Sequence, residues 1–437
     1  MMINSISGNT PIAALSEMSC AMHIERNAYL SKLIARKHNR LVKVITGIRR
    51  CGKSFLLFEF FREHLREQGV PDCNVVEVSF DRYRNRALRE PDALLAYLDP
   101  LLAGEGMHYL LLDEVQFLSS FEEVLIDLMA MPNVDVYVTG SNSKFLSTDI
   151  ITEFRGRGDE IRVHPLNFAE FYSVWDGGWE DAWRAYYTYG GMPRIAGMSS
   201  EQEKIGYLER LFEEVYLRDI VERNGVRFAD ELGELVDFVA SATGSLTNPA
   251  RLAATFKSSS KVSISEATVA EYLAYLQDAF LISRARRYDV RGRKAIGSPY
   301  KYYFEDVGLR NARLKFRQQE PTHIMENVVY NELVMRGFAV DVGIVESRKM
   351  EGGVRRTQRH EIDFVANLGS KRYYIQSAYS MPTEEKRVQE ACSLNGTGDS
   401  FKKIIVTHDD VMPCRDENGI VVMGLRDFLL NPDMLDW

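Results

Sequence analysis

The eight residues Gly47-Ile48-Arg49-Arg50-Cys51-Gly52-Lys53-Ser54 constrain this chain more than any other feature. They match G-x-x-x-x-G-K-[ST] and lie between an apolar run (Leu41, Val42, Val44, Ile45) and a helical pattern carrying Leu56, Leu57, Phe60 and Phe61. The two glycines permit a backbone path whose N–H groups converge on one point, and a helix starting near Lys53 aims the positive end of its dipole there. That geometry suits phosphate. Lys53 would neutralise the outer phosphates of a nucleotide and Ser54 would offer its hydroxyl to Mg²⁺, with Gly47, Arg49, Arg50, Cys51, Gly52 and Phe55 completing the binding stretch. From average residue usage, a chance match in a chain of this length is on the order of one or two per cent.

Downstream segments fit the same chemistry. Tyr109-Leu110-Leu111-Leu112-Asp113-Glu114 reads as an apolar strand ending in two acids, which puts Asp113 at the sheet edge where it can hold Mg²⁺. Glu114 then suits the polarising of an attacking water. A further strand ends in Val138-Thr139-Gly140-Ser141-Asn142, so Ser141 or Asn142 is expected to sense the terminal phosphate, the alternative being a plain turn. Arg155 and Arg157 offer guanidinium groups on a loop, either to a neighbouring subunit's nucleotide or to solvent. Cys51 is either a reactive thiol beside a helix N-terminus or a small residue that fits.

Short apolar runs (74–80, 108–112 and 134–139) alternate with helical patterns (53–67, 91–102 and 120–130). This order predicts a mostly parallel sheet covered by helices. The chain of 437 residues is long enough for several domains. The expected division is a leader at 1–23, a nucleotide-binding domain at 24–165, a helical lid or adaptor at 166–240, a winged-helix-like unit at 241–318 and an α/β domain at 319–437. No apolar run approaches the roughly 20 residues of a membrane-spanning helix, and the leader shows no basic and apolar export pattern. A cytoplasmic protein with no membrane partner is therefore expected. Five scattered cysteines without a C-x-x-C pair argue against both a disulfide framework and a zinc site. The net charge of −8 disfavours coating nucleic acid through an overall field and confines any such contact to a local face.

Read together, the chain resembles the bacterial and archaeal AAA-type ATPases whose C-terminal half is a domain of unknown function. The resemblance rests on 47–54, on Leu112-Asp113-Glu114, on Thr139-Gly140-Ser141-Asn142-Ser143, and on Arg157-Gly158 leading into Pro165-Leu166-Asn167-Phe168-Ala169-Glu170-Phe171. It continues through Gly190-Gly191-Met192-Pro193, Tyr303-Phe304-Glu305-Asp306-Val307-Gly308-Leu309 and Glu361-Ile362-Asp363-Phe364. It implies an α/β fold: a P-loop NTPase (AAA-like) parallel-sheet domain, then a helical and winged-helix segment, then a restriction-endonuclease-like α/β domain. It also implies ATP and Mg²⁺ as ligands, with Lys53, Ser54, Asp113 and Glu114 in the roles given above. Phe55 departs from the second hydroxyl residue that the family often carries.

The C-terminal half divides the functional readings. Between 245 and 301, basic residues including Arg251, Arg284, Arg286, Arg287, Arg291, Arg293 and Lys294 outnumber the acids, a phosphate-backbone footprint on a winged helix whose wing is 291–294. Winged helices also dock proteins, so DNA or a protein is the expected partner, and a homo-oligomer is compatible. The last domain offers Glu326 or Glu332 as a helix acid and Glu361 and Asp363 on a strand. The nuclease pattern then fails, because Gln376-Ser377-Ala378 stands where E-x-K would lie. The leading expectation is an ATPase that couples nucleotide state to partner binding. The alternatives are an ATP-sensing binding module without turnover and a metal-dependent nuclease.

Overall fold

A computed structural model of the chain describes residues 24–140, 157–259, 264–351 and 354–437. The expected leader 1–23 and the candidate residues Ser141, Asn142 and Arg155 lie outside the described residues.

The apolar runs form β1 (Val42–Thr46), β2 (Val75–Ser79), β3 (His108–Asp113) and β4 (Val134–Thr139), joined by β5 (Gly158–Arg162) in a parallel sheet of order β2-β3-β4-β1-β5. Strand alternation gives each face its own core. Val42, Val44, Leu110, Leu112, Val136 and Val138 pack on one side, against α3 (Pro91–Leu102) and α4 (Phe121–Ala130). Ile45, Tyr109, Leu111 and Tyr137 pack on the other, with α1 (Asn27–Ala35) and α2, which runs through Lys53–Phe55, the wider turns of Leu56–Phe61, and Arg62–Glu67. Each fully buried aliphatic side chain contributes roughly 1.5–3 kcal/mol. Lys43 is buried within β1 and is neutralised by Asp135 of β4, which also accepts the Tyr137 hydroxyl at 2.8 Å. β5 lies outside the strand-like runs read from the sequence. Only Ile161 of Gly-Asp-Glu-Ile-Arg is buried, as suits a polar edge strand with no apolar periodicity.

Helices follow: α5 (Phe168–Tyr172), started by a capping box between Asn167 and Glu170, α6 (Trp179–Tyr189), α7 (Pro193–Ala196), a long α8 (Glu201–Arg210, Leu211–Leu217 and Arg218–Asn224) and α9 (Ala229–Ser241). Next come α10 (Pro249–Ser259), α11 (Glu266–Asp278) and the hairpin of β6 (Ile282–Asp289) and β7 (Lys294–Phe304), with a bridge from Thr247 to Tyr300. Two helices and a two-stranded hairpin thus follow one another between 249 and 304.

The hairpin does not stand apart, however. β6 pairs in parallel with β8 (Ala339–Glu351), which continues through β9 (Val354–Leu368), β10 (Lys371–Ala378), β11 (Lys402–Thr407), β12 (Cys414–Arg415) and β13 (Val421–Gly424). Together they make one eight-stranded sheet, ordered β12-β13-β11-β10-β9-β8-β6-β7. Thus the expected boundary at 318 and 319 does not separate two sheets, because the outer edge of β6 finds its hydrogen-bond partners in β8. α12 (Val307–Arg313) and α13 (Pro321–Met335) cover this junction, and α14 (Glu384–Asn395) and α15 (Leu425–Leu430) complete the fold. The largest apolar core runs from Ile24 to Leu435 across every expected boundary between 24 and 437.

Candidate nucleotide site

β1 delivers the phosphate-type loop to the carboxyl edge of the parallel sheet, the edge where open α/β sheets bind ligands. Gly47 has φ +136° and Gly52 φ +102°, both outside the range that side-chain-bearing residues adopt readily. Gly47 is also crowded: a Cβ there would stand 2.0 Å from the Val163 carbonyl oxygen. Gly47→Ala is therefore expected to abolish nucleotide binding and to lower the melting temperature, as read by thermal denaturation with and without ATP. A variant whose melting temperature responds to ATP as much as that of a nucleotide-binding natural chain would contradict this.

Inside the loop, the Lys53 ammonium donates to the carbonyls of Gly47 at 2.9 Å and Ile48 at 3.0 Å. One residue on, the Ser54 hydroxyl donates to Asp113 Oδ1 at 2.8 Å, bringing the ends of β1 and β3 together across β4. Thr139, at the end of β4, donates its hydroxyl to the same oxygen and accepts the Glu114 N–H at 3.0 Å. Burial raises the Asp113 pKa above its ordinary value, and the bonds from Thr139 and Ser54 oppose that rise. A buried carboxylate and a hydroxyl sharing one point are a hard-oxygen pair suited to Mg²⁺.

Glu114 adopts φ +53° and Arg50 φ +63°, a left-handed backbone that non-glycine residues hold at a cost of order 1 kcal/mol or more. At Glu114 this conformation turns the chain away from β3 immediately after Asp113. The Glu114 carboxylate accepts from Gln116 Nε2. Arg49 pairs with Asp219 of α8 at 3.1 Å, and its carbonyl accepts the Tyr216 hydroxyl at 2.6 Å, so α8 holds the outside of the loop. Cys51 is fully buried with its thiol on the Val163 carbonyl at 3.3 Å, and burial pushes its pKa up. That environment matches a small residue that fits, not a reactive thiolate.

Arg157 does not join these groups within its own chain. Its carbonyl accepts from Val42 N, and Gly158 pairs with Val42 while Arg162 pairs with Thr46. The loop therefore lies about 13 Å away, at the other end of the strand.

Beside the loop opens a cleft of 690 Å³, lined in part by Ile24, Arg26, Gly52, Phe55, Pro193 and Arg194. This is an ordinary size for a small-molecule pocket. Arg26 is buried and holds Glu170 at 3.0 Å, the His164 carbonyl at 2.7 Å and the Cys51 carbonyl at 3.3 Å. Sequence reasoning missed Arg26 and Arg194. Arg26 carries no motif, whereas Arg194 directly follows Gly190-Gly191-Met192-Pro193 and was legible from that turn.

A family model described as an AAA domain matches residues 39–172, and one described as a domain of unknown function (DUF8612) matches 180–320. An uncharacterized protein of Haemophilus influenzae is 32% identical over 419 residues, covering 94% of this chain and 100% of its own length. This chain belongs to the same family as that protein. The stretch that the AAA-domain model matches, 39–172, holds the loop, Asp113 and Glu114. An uncharacterized protein of Methanocaldococcus jannaschii is 26% identical over 367 residues, with 81% of this chain and 77% of its own covered. Among solved structures, Aeropyrum pernix ORC1 in complex with DNA aligns with a TM-score of 0.31 at 13% identity, over 67% of this chain and 93% of that one. Among the described residues, no helix is long and apolar enough to cross a membrane.

The second expected constellation converges differently. Glu326 of α13 and Glu361 and Asp363 of β9 do meet, but around the buried Lys301 ammonium of β7, at 2.8, 2.7 and 3.4 Å. Tyr303 donates to Glu326 at 2.7 Å and Ser377 N–H to Asp363 at 2.9 Å. Glu332, the alternative helix acid, faces away and pairs with Arg336 at 2.8 Å, since six residues make about one and two-thirds turns. Gln376 meets Ser393 at 3.4 Å instead of the cluster. Lysine thus stands between the carboxylates where a nuclease would need a divalent cation. Among the described residues, no group of three or more His, Cys, Asp or Glu side chains is arranged to hold a metal ion.

Proposed function

We propose that this protein binds and hydrolyses ATP with Mg²⁺ at its AAA domain and uses nucleotide state to control engagement of DNA by its C-terminal half. The observation carrying the first part is the Ser54 to Asp113 contact at 2.8 Å beside the Lys53 loop. Ser54 and Asp113 would hold the Mg²⁺, which supplies charge neutralisation at the phosphates. Lys53 would leave its own loop carbonyls for the phosphate oxygens. Glu114 would orient and deprotonate water, the cleft beside Gly52 would take the base and sugar, and Arg194 would close over the phosphates. Ser141 or Asn142 would sense the terminal phosphate, and Arg155 or Arg157 would act on a neighbouring subunit's nucleotide. Release of phosphate that needs both ATP and Mg²⁺ tests the reading. A purified chain that binds no nucleotide would remove it.

DNA is favoured over a protein partner by one surface. Arg291, Arg293 and Lys294 are exposed at the β6–β7 turn and Arg284 and Arg286 are exposed along β6, so five cations lie on one hairpin. By contrast α11, the helix that would enter a groove, exposes Glu266 and Glu271 and no cation. Contact through the hairpin alone would read phosphates and not base edges. Replacing Arg291, Arg293 and Lys294 together by Glu is expected to weaken duplex binding for all sequences alike. It should also make the salt dependence shallower by about three in log–log slope. Natural protein that fails to shift duplex DNA even at low salt would sink the DNA assignment.

A further inference from the structure

The wall of the nucleotide cleft is not built by the AAA domain alone. β7 leaves the C-terminal sheet at Phe304, and the next two residues, Glu305 and Asp306, are both buried. Glu305 accepts from Arg162 at 2.8 Å and from His164 Nδ1, at the end of the β5 edge strand. Arg162 and His164 flank Val163, whose N–H donates to the Thr46 carbonyl at 2.8 Å and whose own carbonyl packs on Gly47 and Cys51. Glu305 is thus one residue removed from the floor of the loop.

Asp306 reaches the opposite wall. Its Oδ2 accepts from Gly191 N at 2.7 Å while Oδ1 caps α12 at Leu309 N at 2.9 Å. Gly191 begins the Gly191-Met192-Pro193-Arg194 turn, and Pro193 and Arg194 line the cleft. No larger residue fits these approaches: a Cβ on Gly190 would stand 2.2 Å from Asp306, and one on Gly308 2.0 Å from the Tyr189 carbonyl. Asn311 adds bonds to the carbonyls of Tyr187 and Thr188 at 2.8 and 3.0 Å.

We infer that Glu305 and Asp306 are positioning residues of the nucleotide site: through Arg162 and His164 one sets the loop, through Gly191 the other sets the Pro193–Arg194 wall. This rests on the nucleotide reading above. Because both residues continue β7, whose far end is the basic turn, the same dipeptide ties nucleotide occupancy to the surface proposed for DNA. The tie works in both directions, as any binding linkage must.

The test uses the full chain with ATP or a slowly hydrolysed analogue and Mg²⁺, in two arms. In the natural protein, hydrogen exchange at Gly191 and across 303–309 should slow when nucleotide binds. Glu305→Gln and Asp306→Asn should each weaken nucleotide binding by roughly 2- to 30-fold, with KM rising more than kcat falls, and Glu305→Asp should recover part of the loss. If the natural protein binds nucleotide with no exchange change in 303–309, or folded variants bind as the natural protein does, the inference is overturned. Should the variants fail to fold, the exchange experiment decides alone. A natural protein that binds no nucleotide overturns the underlying reading, and this one with it.

Discussion

Glu114→Gln is expected to cut Mg²⁺-dependent phosphate release from ATP by roughly 10²- to 10⁴-fold while leaving nucleotide affinity within about twofold. The amide keeps the size of the side chain and can still meet Gln116, but it cannot accept a proton from water. The backbone at Glu114 is held by its N–H to Thr139 at 3.0 Å, a bond that the substitution leaves in place. Binding should survive because Lys53 and the Ser54–Asp113 pair, not Glu114, would meet the phosphates and Mg²⁺. Steady-state phosphate release and equilibrium binding, measured on the same preparations, separate the two effects. Unchanged turnover would take Glu114 out of the chemical step. Lost binding would make it a structural residue of the loop.

The second large effect concerns stability. Lys301→Met is expected to destabilise the protein by about 3–5 kcal/mol at pH 8, because three carboxylates then face one another without their cation. Burial raises Glu326 to about 7 even beside Lys301, and Lys301 itself is held charged, its pKa well above the ordinary 10.5, against the cost of its own burial. The sign with pH follows. A cation whose folded pKa is raised contributes its stability below its ordinary value, whereas Glu326, whose folded pKa is raised, costs stability as pH rises from 4.5 to about 7, so in the natural protein Lys301 meets an ionised Glu326 only above pH 7. In the variant Glu326 loses the cation that opposes its rise, and the folded state gains protons as pH falls. Its deficit should therefore be largest at pH 8 and shrink towards pH 4. Chemical denaturation at both values checks this, and a variant as stable as the natural chain at pH 8 would contradict it.

The carboxylate cluster has a cation of the chain's own at its centre. Glu326, Glu361 and Asp363 hold the spacing of a metal centre, yet their partner is an ammonium delivered by β7, a strand that local sequence assigns to a different unit. Departures at Gln376 and Ala378 were visible in the sequence and pointed the same way. The occupant was not, since Lys301 lies 25 residues from Glu326 and 62 from Asp363 along the chain.

Local chemistry was enough to place the loop at 47–54, the strand ending in Asp113 and Glu114, and the alternation of strands and helices that makes a parallel sheet. Those features rest on short-range rules: glycines where φ must be positive, apolar runs where both faces are covered, and acids where a buried strand ends. Only the tertiary structure decided that β5 completes the sheet, that Arg157 sits at its far end, and that the β6–β7 hairpin joins the C-terminal sheet. It alone set Arg26 in the cleft beside the loop, with Glu305 and Asp306 behind its walls. Each of these depends on groups that meet across dozens of residues or more, or on an edge strand whose polar sequence carries no periodic signal. Pairing at that range is selected by the burial of whole faces, and no local window contains it.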